Sequence, residues 1–141
     1  MSEFSISSPD FEEGGEIPKK CGYKIENEPP EIELHNPPSG TVATAIIMDD
    51  PDAMAAVGKV WVHWLAWTEP NGELGDEGKN DFGEYGYGGP APPDKRHTYI
   101  FKVYALDDVP DVKHGFSKKE LEEAINGHII AEAKLTGTYA P

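Results

Sequence analysis

The chain has 141 residues, a length typical of one domain with a single core, so we expect one domain over residues 1–141. Its 26 acidic and 12 basic residues give a formal net charge of −14, which argues against nucleic acid and anionic membranes as partners. Neither a membrane-length apolar run nor a basic start with an apolar centre is present, so the sequence predicts a cytoplasmic protein that is not integral to a membrane.

Thirteen Pro and 15 Gly are spread through the chain and favour short strands joined by turns over long helices. Strands are indicated where apolar residues alternate with polar ones or form β-branched and aromatic runs. In chain order these segments are residues 4–6, 32–34, 41–48, 60–67 and 97–105. The single cysteine, Cys21, forms no intrachain disulfide and is expected to be a small, partly or fully buried residue.

The two best strand patterns, 60–67 and 97–105, predict central strands. Period two places four residues of the first on one face, Trp61, His63, Leu65 and Trp67, and leaves Val60, Val62, Trp64 and Ala66 on the other. In the second it groups His97, Tyr99, Phe101, Val103 and Ala105. Each of these strands therefore carries one histidine within an apolar pattern.

One segment has a full set of helix signals. Ser117 and Glu120 have the spacing of a capping box, an apolar stripe follows, and Gly127 ends the pattern, so we predict a helix over residues 117–126. Alternation over residues 129–139 favours a last strand, although the alanine-rich segment is also compatible with a longer helix.

A long connection, residues 71–96, separates the two central strands and contains 7 Gly and 3 Pro. Connections of this length are usually functional or disordered. Phe82, Tyr85 and Tyr87 interleave with its glycines and are expected to anchor it. A packed surface loop with no function is the alternative.

Candidate chemistry begins where the strand 41–48 ends in Asp49, Asp50, Pro51 and Asp52. These residues also suit a simple turn, so the carboxylates need partners before they indicate a site. His63 and His97 are candidates, because neighbouring strands can bring both to one mouth. An imidazole held by a carboxylate presents N–H donors to an anion.

Other chemistries have weaker support. Gly58 and Lys59 lack the glycine spacing of a phosphate-binding loop, and the glycines of residues 83–89 do not match a dinucleotide fingerprint. His63, His97 and an aspartate could bind zinc in principle, but no zinc-binding signature is present. We therefore expect no cofactor and no metal. A serine hydrolase motif is also missing.

Several motifs in one order resemble the phosphatidylethanolamine-binding, Raf-kinase-inhibitor-like family, most of all its bacterial and archaeal branch. They are Asp50-Pro51-Asp52-Ala53, Val60-Trp61-Val62-His63-Trp64, Asn80-Asp81-Phe82-Gly83, Tyr87-Gly88-Gly89-Pro90-Ala91-Pro92-Pro93, His97-Thr98-Tyr99 and Gly127-His128-Ile129-Ile130-Ala131. The resemblance implies a mostly β, antiparallel sandwich with few helices. It also implies a small pocket that accepts phosphate, acetate or a phospholipid headgroup, with no particular catalysis. The pocket residues implied by motif position are Asp50, Asp52, His63, Pro92, His97 and Tyr99.

Two departures from the family pattern stand out. The later strand usually begins with Gly-x-His-Arg, whereas this chain has Lys95-Arg96-His97-Thr98, so Lys95 or Arg96 would have to replace the missing arginine charge. The Asp-Pro-Asp-Ala segment continues with Met54 instead of proline. Because a non-proline cis peptide costs about 3 kcal/mol, we expect a trans bond there.

Three functions follow in order of preference. The first is non-enzymatic binding of a small phosphoryl or carboxylate group. The second is a protein-interaction role, as inhibitor of a protease or kinase, with contacts from loop residues near Tyr85 and Tyr87. The third is hydrolysis with His63 or His97 as general base. By analogy with bacterial relatives we also expect a homodimer.

Overall fold

The computed structural model describes residues 3–141. Its strands are β1 (Ser5–Ser7), β2 (Glu33–His35), β3 (Ala43–Asp50), β4 (Trp61–Thr68), β5 (Leu74–Glu77), β6 (His97–Leu106) and β7 (Ile129–Tyr139), and its α-helices are α1 (Ala53–Val57) and α2 (Lys118–Ile125). A five-stranded antiparallel sheet has the order β5-β4-β3-β6-β7, and a two-stranded sheet pairs β1 with β2. The expected mostly β architecture with two sheets and one main helix is confirmed.

The predicted elements are present within a few residues of their expected bounds. Helix α2 begins with the capping box: the Ser117 Oγ accepts the Glu120 N–H at 3.1 Å, and the Glu120 carboxylate accepts the Ser117 N–H at 2.9 Å. The tail forms strand β7, so the alternative of a longer helix is wrong. Cys21 is fully buried, as expected.

Two elements are not in the prediction. Strand β5 lies in the segment assigned to a loop, and its sequence Leu-Gly-Asp-Glu offers only one apolar residue because it is an exposed edge strand. Helix α1 is a single turn after the Asp-Pro-Asp segment, too short to show a periodic pattern. Both elements depend on contacts with residues distant in sequence, and periodicity in the sequence does not reveal such contacts.

The core forms two layers, one on each face of the five-stranded sheet. On one face, β1, β2 and the N-terminal segment cover Met48, Tyr99, Phe101 and Leu135. On the other, α2 and its flanking residues cover a second cluster that includes Leu65 and Leu106. Residues alternate strictly between these faces along β3 and β6, which is the expected behaviour of a sheet buried on both sides.

A β-bulge in β4 corrects the predicted grouping of its side chains. Met48 pairs with Trp64 and Asp49 pairs with Val62, so His63 is an extra residue on β4. His63 and Trp64 consequently lie on the same face as Met48, whereas Leu65 and Val62 belong to the other cluster. The prediction that His63 shares a face with Leu65 and Trp67 is therefore wrong, because period two fails across the bulge.

Within residues 3–141, no helix is long and apolar enough to cross a membrane.

Candidate functional site

Three strand ends converge at one edge of the five-stranded sheet. Strand β3 runs antiparallel to both of its neighbours, β4 and β6, so its last residue, Asp50, lies beside the first residues of β4 and β6. This arrangement brings Asp50 together with His63 of β4 and with His97 and Tyr99 of β6. The expectation that both histidines reach one mouth is confirmed by their contacts with the same ring: the His63 and His97 ring centroids lie 5.1 and 6.4 Å from that of Tyr99.

These residues surround a cavity of about 240 Å³, partly open to solvent. Its walls come from the strand ends, from one side of α1 and from the long loop. The lining residues are Asp50, Ala53, Ala56, Val57, Trp61, His63, Phe82, Ala91, Pro92, Pro93, His97 and Tyr99. The size and the mixture of apolar walls with a few polar groups are typical of a small-ligand site.

His97 lies at the centre of a chain of two ion pairs. Its Nδ1 contacts the Asp50 Oδ2 at 2.6 Å and its Nε2 contacts the Asp94 Oδ1 at 2.7 Å. His97 and Asp50 are almost completely buried, whereas the Asp94 side chain is 42% exposed. Because carboxylates only accept hydrogen bonds, both ring nitrogens donate, and His97 is an imidazolium in this geometry.

The two carboxylates decide the charge of His97. Burial disfavours its charged form, but the hydrogen bonds that His97 donates to Asp50 and Asp94, together with the negative charges of these carboxylates, outweigh burial and raise the pKa of His97 above its usual value. The pKa of Asp94 shifts in the opposite direction: although burial opposes the change, the hydrogen bond that Asp94 accepts from His97 lowers its pKa. Thus Asp94 is an anion that occupies the outer nitrogen of His97.

His63 has the opposite environment. Its Nδ1 donates to the Gly88 carbonyl oxygen at 2.7 Å, and the Gly88 N–H donates to the His63 carbonyl oxygen at 2.8 Å. Burial lowers the pKa of His63, and the hydrogen bonds to Gly88 and the charge of Asp50 only partly oppose this effect. At neutral pH His63 is therefore a neutral imidazole whose Nε2 is a hydrogen-bond acceptor.

Two buried donors of the cavity residues have no acceptor. Neither the Tyr99 hydroxyl nor the Trp61 Nε1 donates a hydrogen bond within the part of the chain that the structure describes. Burial raises the pKa of the Tyr99 phenol, and the Ala91 backbone N–H beside its oxygen opposes this only in part, so the hydroxyl stays protonated and keeps a proton to donate. Unpaired buried donors are rare in folded proteins and call for a ligand, a water molecule or an ion.

Five of the six residues expected at the site line the cavity, and the sixth does not. Asp50, His63, Pro92, His97 and Tyr99 are lining residues. Asp52 is exposed, and its carboxylate instead accepts the Thr98 N–H at 2.8 Å, which ties the start of α1 to the start of β6. Its own N–H donates to the Asp50 Oδ1 at 3.0 Å, so Asp52 shapes the site without facing the cavity.

Neither basic residue before β6 replaces the arginine charge of the family pattern. Arg96 points to Glu16, 3.8 Å away, and donates to the Thr138 Oγ1 at 3.2 Å. Lys95 is exposed and does not line the cavity. Instead, Asp94 places a negative charge beside the His97 ring. The peptide bond before Met54 is trans, as expected, like every other peptide bond among residues 3–141.

The long loop is held in place by its aromatic and amide side chains. Phe82 stacks on Tyr23 with ring centroids 3.9 Å apart, and the Tyr87 hydroxyl donates to the Cys21 carbonyl oxygen at 2.8 Å. The buried Asn80 bonds to three backbone groups of residues 82–86. Phe82 and Tyr87 act as the predicted anchors, and Tyr85, although 59% exposed, packs its ring against His114 with centroids 4.6 Å apart.

Asp81 of this loop stabilises the bulge that directs His63 into the cavity. Its Oδ2 accepts the Val62 N–H at 2.7 Å, and its own N–H donates to the Val62 carbonyl oxygen at 2.9 Å. Strand β5 pairs only with residues 66–68 of β4. At Val62 the loop supplies the backbone hydrogen bonds that a neighbouring strand would otherwise make. Closure of the loop and the position of His63 depend on each other.

Sequence reasoning missed three lining or neighbouring groups: Trp61, Phe82 and Asp94. Trp61 and Phe82 are large apolar residues, and in the sequence they look like core residues. Asp94 could have been found from its place three residues before His97 in a turn. No cluster of His, Cys, Asp or Glu with metal-site geometry occurs in the described range 3–141.

Comparisons with known proteins agree with this architecture. Residues 7–140 match the family model described as phosphatidylethanolamine-binding protein. The chain is 38% identical over 144 residues to a UPF0098 protein of Methanothermobacter thermautotrophicus, a match that covers 92% of this chain and 93% of the relative. It is 37% identical over 145 residues to a UPF0098 protein of Chlamydia muridarum, covering 95% and 97% of the two chains.

Solved structures show the same fold. A phosphatidylethanolamine-binding protein homolog from Chlamydia trachomatis, CT736, superposes with a TM-score of 0.90 at 34% identity and covers 99% of this chain and 98% of its own. Escherichia coli YbcL, described as a member of the mammalian PEBP family, gives a TM-score of 0.82 at 29% identity, with 98% of each chain covered. The extent of the family match and of the matches to relatives above 30% identity shows that the chain belongs to the phosphatidylethanolamine-binding protein family.

Proposed function

We propose that the cavity at the end of β3 binds a small phosphoryl or carboxylate group without converting it. The observation that carries this proposal is the pair of unpartnered buried donors, the Tyr99 hydroxyl and the Trp61 Nε1, on residues that line one cavity. An anionic oxygen would satisfy both, and charge-assisted hydrogen bonds are the stronger kind. Because the chain carries −14 overall, such local donors have to outweigh a repulsive long-range field.

His63 makes the proposed binding depend on a proton. With Nδ1 bonded to the Gly88 carbonyl, only Nε2 remains for a ligand, and the neutral ring offers a lone pair there. An anion is repelled by that lone pair but accepts a hydrogen bond from the protonated ring. Binding an anion beside His63 therefore favours uptake of a proton.

Asp94 competes with the ligand in this proposal. Its carboxylate holds the His97 Nε2, which is the position that a ligand oxygen would take. Since the Asp94 side chain is partly exposed and lies on a surface loop, it can leave without opening the core. His97 and Asp50 remain paired and keep the floor of the cavity in place.

A conservative substitution tests the proposal without disturbing the fold. Tyr99→Phe removes one donor and leaves no buried hydroxyl unpaired, so it should not lower stability. Loss of a hydrogen bond to an anion costs about 1.5–3 kcal/mol, which predicts roughly 10- to 100-fold weaker phosphate binding. Affinity is measured by NMR titration with inorganic phosphate and phosphoethanolamine, which separates a free phosphate from a headgroup.

Tyr104→Phe is the matched control, since Tyr104 is half-buried on the opposite face of β6. It should leave affinity unchanged. Equal affinities of wild type, Tyr99→Phe and Tyr104→Phe would overturn the anion site.

Protein interaction is the second candidate, and the rim of the cavity favours it. Met54 and Val57 of α1 are 54% and 52% exposed, and Val57 also lines the cavity. Such apolar side chains at a rim suit contact with a protein surface, as in inhibition of a protease or kinase. Met54→Glu would then abolish inhibition and leave phosphate affinity intact.

Homodimer formation and a cytoplasmic location stay predictions. Sedimentation equilibrium at micromolar concentration tests the first, and fractionation of cells that produce the protein tests the second.

A further inference from the structure

A second cavity, of about 360 Å³, opens on the inner face of the five-stranded sheet, away from the first cavity around His63 and His97, which we call the His pocket. We refer to it as the β2 groove. Its floor is formed by Ile46 of β3 with Trp64 and Ala66 of β4, and one wall is formed by Ile32 and Leu34 beside and within β2. Apolar side chains dominate this surface, which the chain leaves open to solvent.

The groove exists because the two-stranded sheet is too narrow to cover its partner. Strand β1 contacts β7 at one edge of the large sheet, and β2 lies next to β1. The two-stranded sheet has no third strand to cover β3 and β4. The second edge of β2 pairs with no strand of residues 3–141. An open strand edge beside a solvent-open apolar groove is a place where another strand can be added.

An unpaired donor lies in the same place. The Trp64 Nε1 is buried and makes no hydrogen bond within the described chain, and Trp64 belongs to the floor of the groove. A buried indole N–H normally finds an acceptor. Because the Nε1 atom itself is buried, a carbonyl oxygen of an incoming backbone would supply one only after the Trp64 ring turns toward the groove.

Charge selects the kind of occupant. Glu31 and Glu77 line the groove, Glu33 lies on β2, and Glu73 lies between two lining residues of the β4–β5 turn. None of these four carboxylates takes part in an ion pair within residues 3–141. A second copy of this chain would bring another −14 against this rim, whereas a basic segment would be attracted to it.

We infer that the β2 groove docks an extended segment of another protein in which apolar side chains alternate with lysine or arginine. The segment adds as a third strand beside β2. Alternate side chains then enter the groove and the basic ones face the glutamates, because successive side chains of a strand point to opposite faces. With β2 only three residues long and flanked by Pro30 and Pro37, the pairing is short and binding is modest.

The test uses the peptide acetyl-KVKIKVK-amide, with acetyl-EVEIEVE-amide as its charge-reversed counterpart. Each is titrated into ¹⁵N-labelled protein up to about 1 mM, which detects a dissociation constant near 1 mM, or a binding free energy of only about 4 kcal/mol. The basic peptide should shift the amide signals of Leu34, Ile46 and Ala66 in a saturable manner. The acidic peptide should shift none of them.

Two double variants separate docking from general charge attraction. Glu31→Lys with Glu33→Lys should weaken the basic peptide at least about tenfold, since both residues are exposed beside the groove. Glu122→Lys with Glu123→Lys makes the same change in net charge on exposed positions of α2 and should alter affinity by less than about twofold. Equal weakening by both pairs, no saturable binding, or shifts confined to other amides would overturn the inference. Concentration-dependent shifts of the same amides without peptide would also overturn it, because the occupant would then be a second copy.

Discussion

The His pocket and the β2 groove share one face of one sheet and differ in what closes them. Along β3, Asp50 reaches the pocket, Met48 is core, and Ile46 reaches the groove. Along β6, Tyr99 lines the pocket and Val103 lines the groove. The pocket is closed by a loop and by buried charges that bind each other. The groove is open because the two-stranded sheet of β1 and β2 does not extend over β3 and β4.

Because they are closed by different interactions, the two cavities should respond to different perturbations. The pocket depends on a few strong pairs, so single substitutions should have large and pH-dependent effects. The groove depends on apolar area and a diffuse acidic rim, so single substitutions there should have small effects on the fold.

The largest expected effect is on stability. Asp50→Ala removes the buried partner of His97 and leaves only the partly exposed Asp94, and breaking a buried pair costs about 3–5 kcal/mol. Leu34→Ala in the groove wall removes only half-buried apolar surface and should cost about 1 kcal/mol. Urea unfolding at pH 6, where His97 is charged, measures both. Similar losses for the two variants would mean that the pocket is not held together by its buried pair.

The second prediction concerns pH, where the two histidines should act in opposite directions. Because the folded pKa of His97 is raised, its stabilising contribution is complete below pH 6.5 and is lost as pH rises through the folded value. Because the folded pKa of His63 is lowered, its contribution is complete above pH 6.5 and is lost as pH falls through the folded value.

The check is the free energy of unfolding from pH 5 to 9 for wild type, His97→Gln and His63→Gln. The difference between wild type and His97→Gln should shrink with rising pH, and the difference between wild type and His63→Gln should grow, each by at most about 1.4 kcal/mol per pH unit. His35→Gln, at an exposed position, is the control. Two profiles of the same sign would show that the two environments have been assigned wrongly.

A smaller effect is expected from Asp94→Asn. Asparagine has the same shape but no charge, so it competes less well with an anion for the His97 Nε2. Phosphate affinity at pH 6 should rise by roughly 3- to 10-fold, since the ligand no longer displaces an ion pair. Asp107→Asn, in the exposed pair with His128, should change nothing. Weaker binding by Asp94→Asn would mean that Asp94 supports the ligand instead of competing with it.

Much of the pocket was predictable because its residues belong to regular elements or to motifs. Alternation placed His97 and Tyr99 on one face of a strand, and the Asp-Pro-Asp segment marked a strand end. The bulge at His63 was not predictable, since it depends on Asp81 replacing ladder partners from a distant loop. The role of Asp94 was hidden as well, because a turn aspartate gives no local sign of its partner.

The groove was beyond sequence reasoning for a different reason. Each lining residue, such as Ile46 or Trp64, reads correctly as a buried apolar position of a strand. What is missing is the strand that would cover it, and the short patterns of β1 and β2 do not reveal how little of the large sheet they reach. A surface created by incomplete coverage becomes visible only when the two sheets are placed together.

The most direct test of the central claim, an anion site that takes up a proton at His63, is the pH dependence of sulfate binding. Sulfate keeps its charge from pH 5.5 to 8.5, so any change in affinity belongs to the protein. Below pH 6.5, where His97 stays charged, we predict that wild-type affinity rises as pH falls, by up to about tenfold per pH unit while His63 is still neutral in the free protein, and that His63→Gln removes this rise. A wild-type affinity independent of pH below pH 6.5, or a rise in that range that survives in His63→Gln, would show that His63 does not take up the proton.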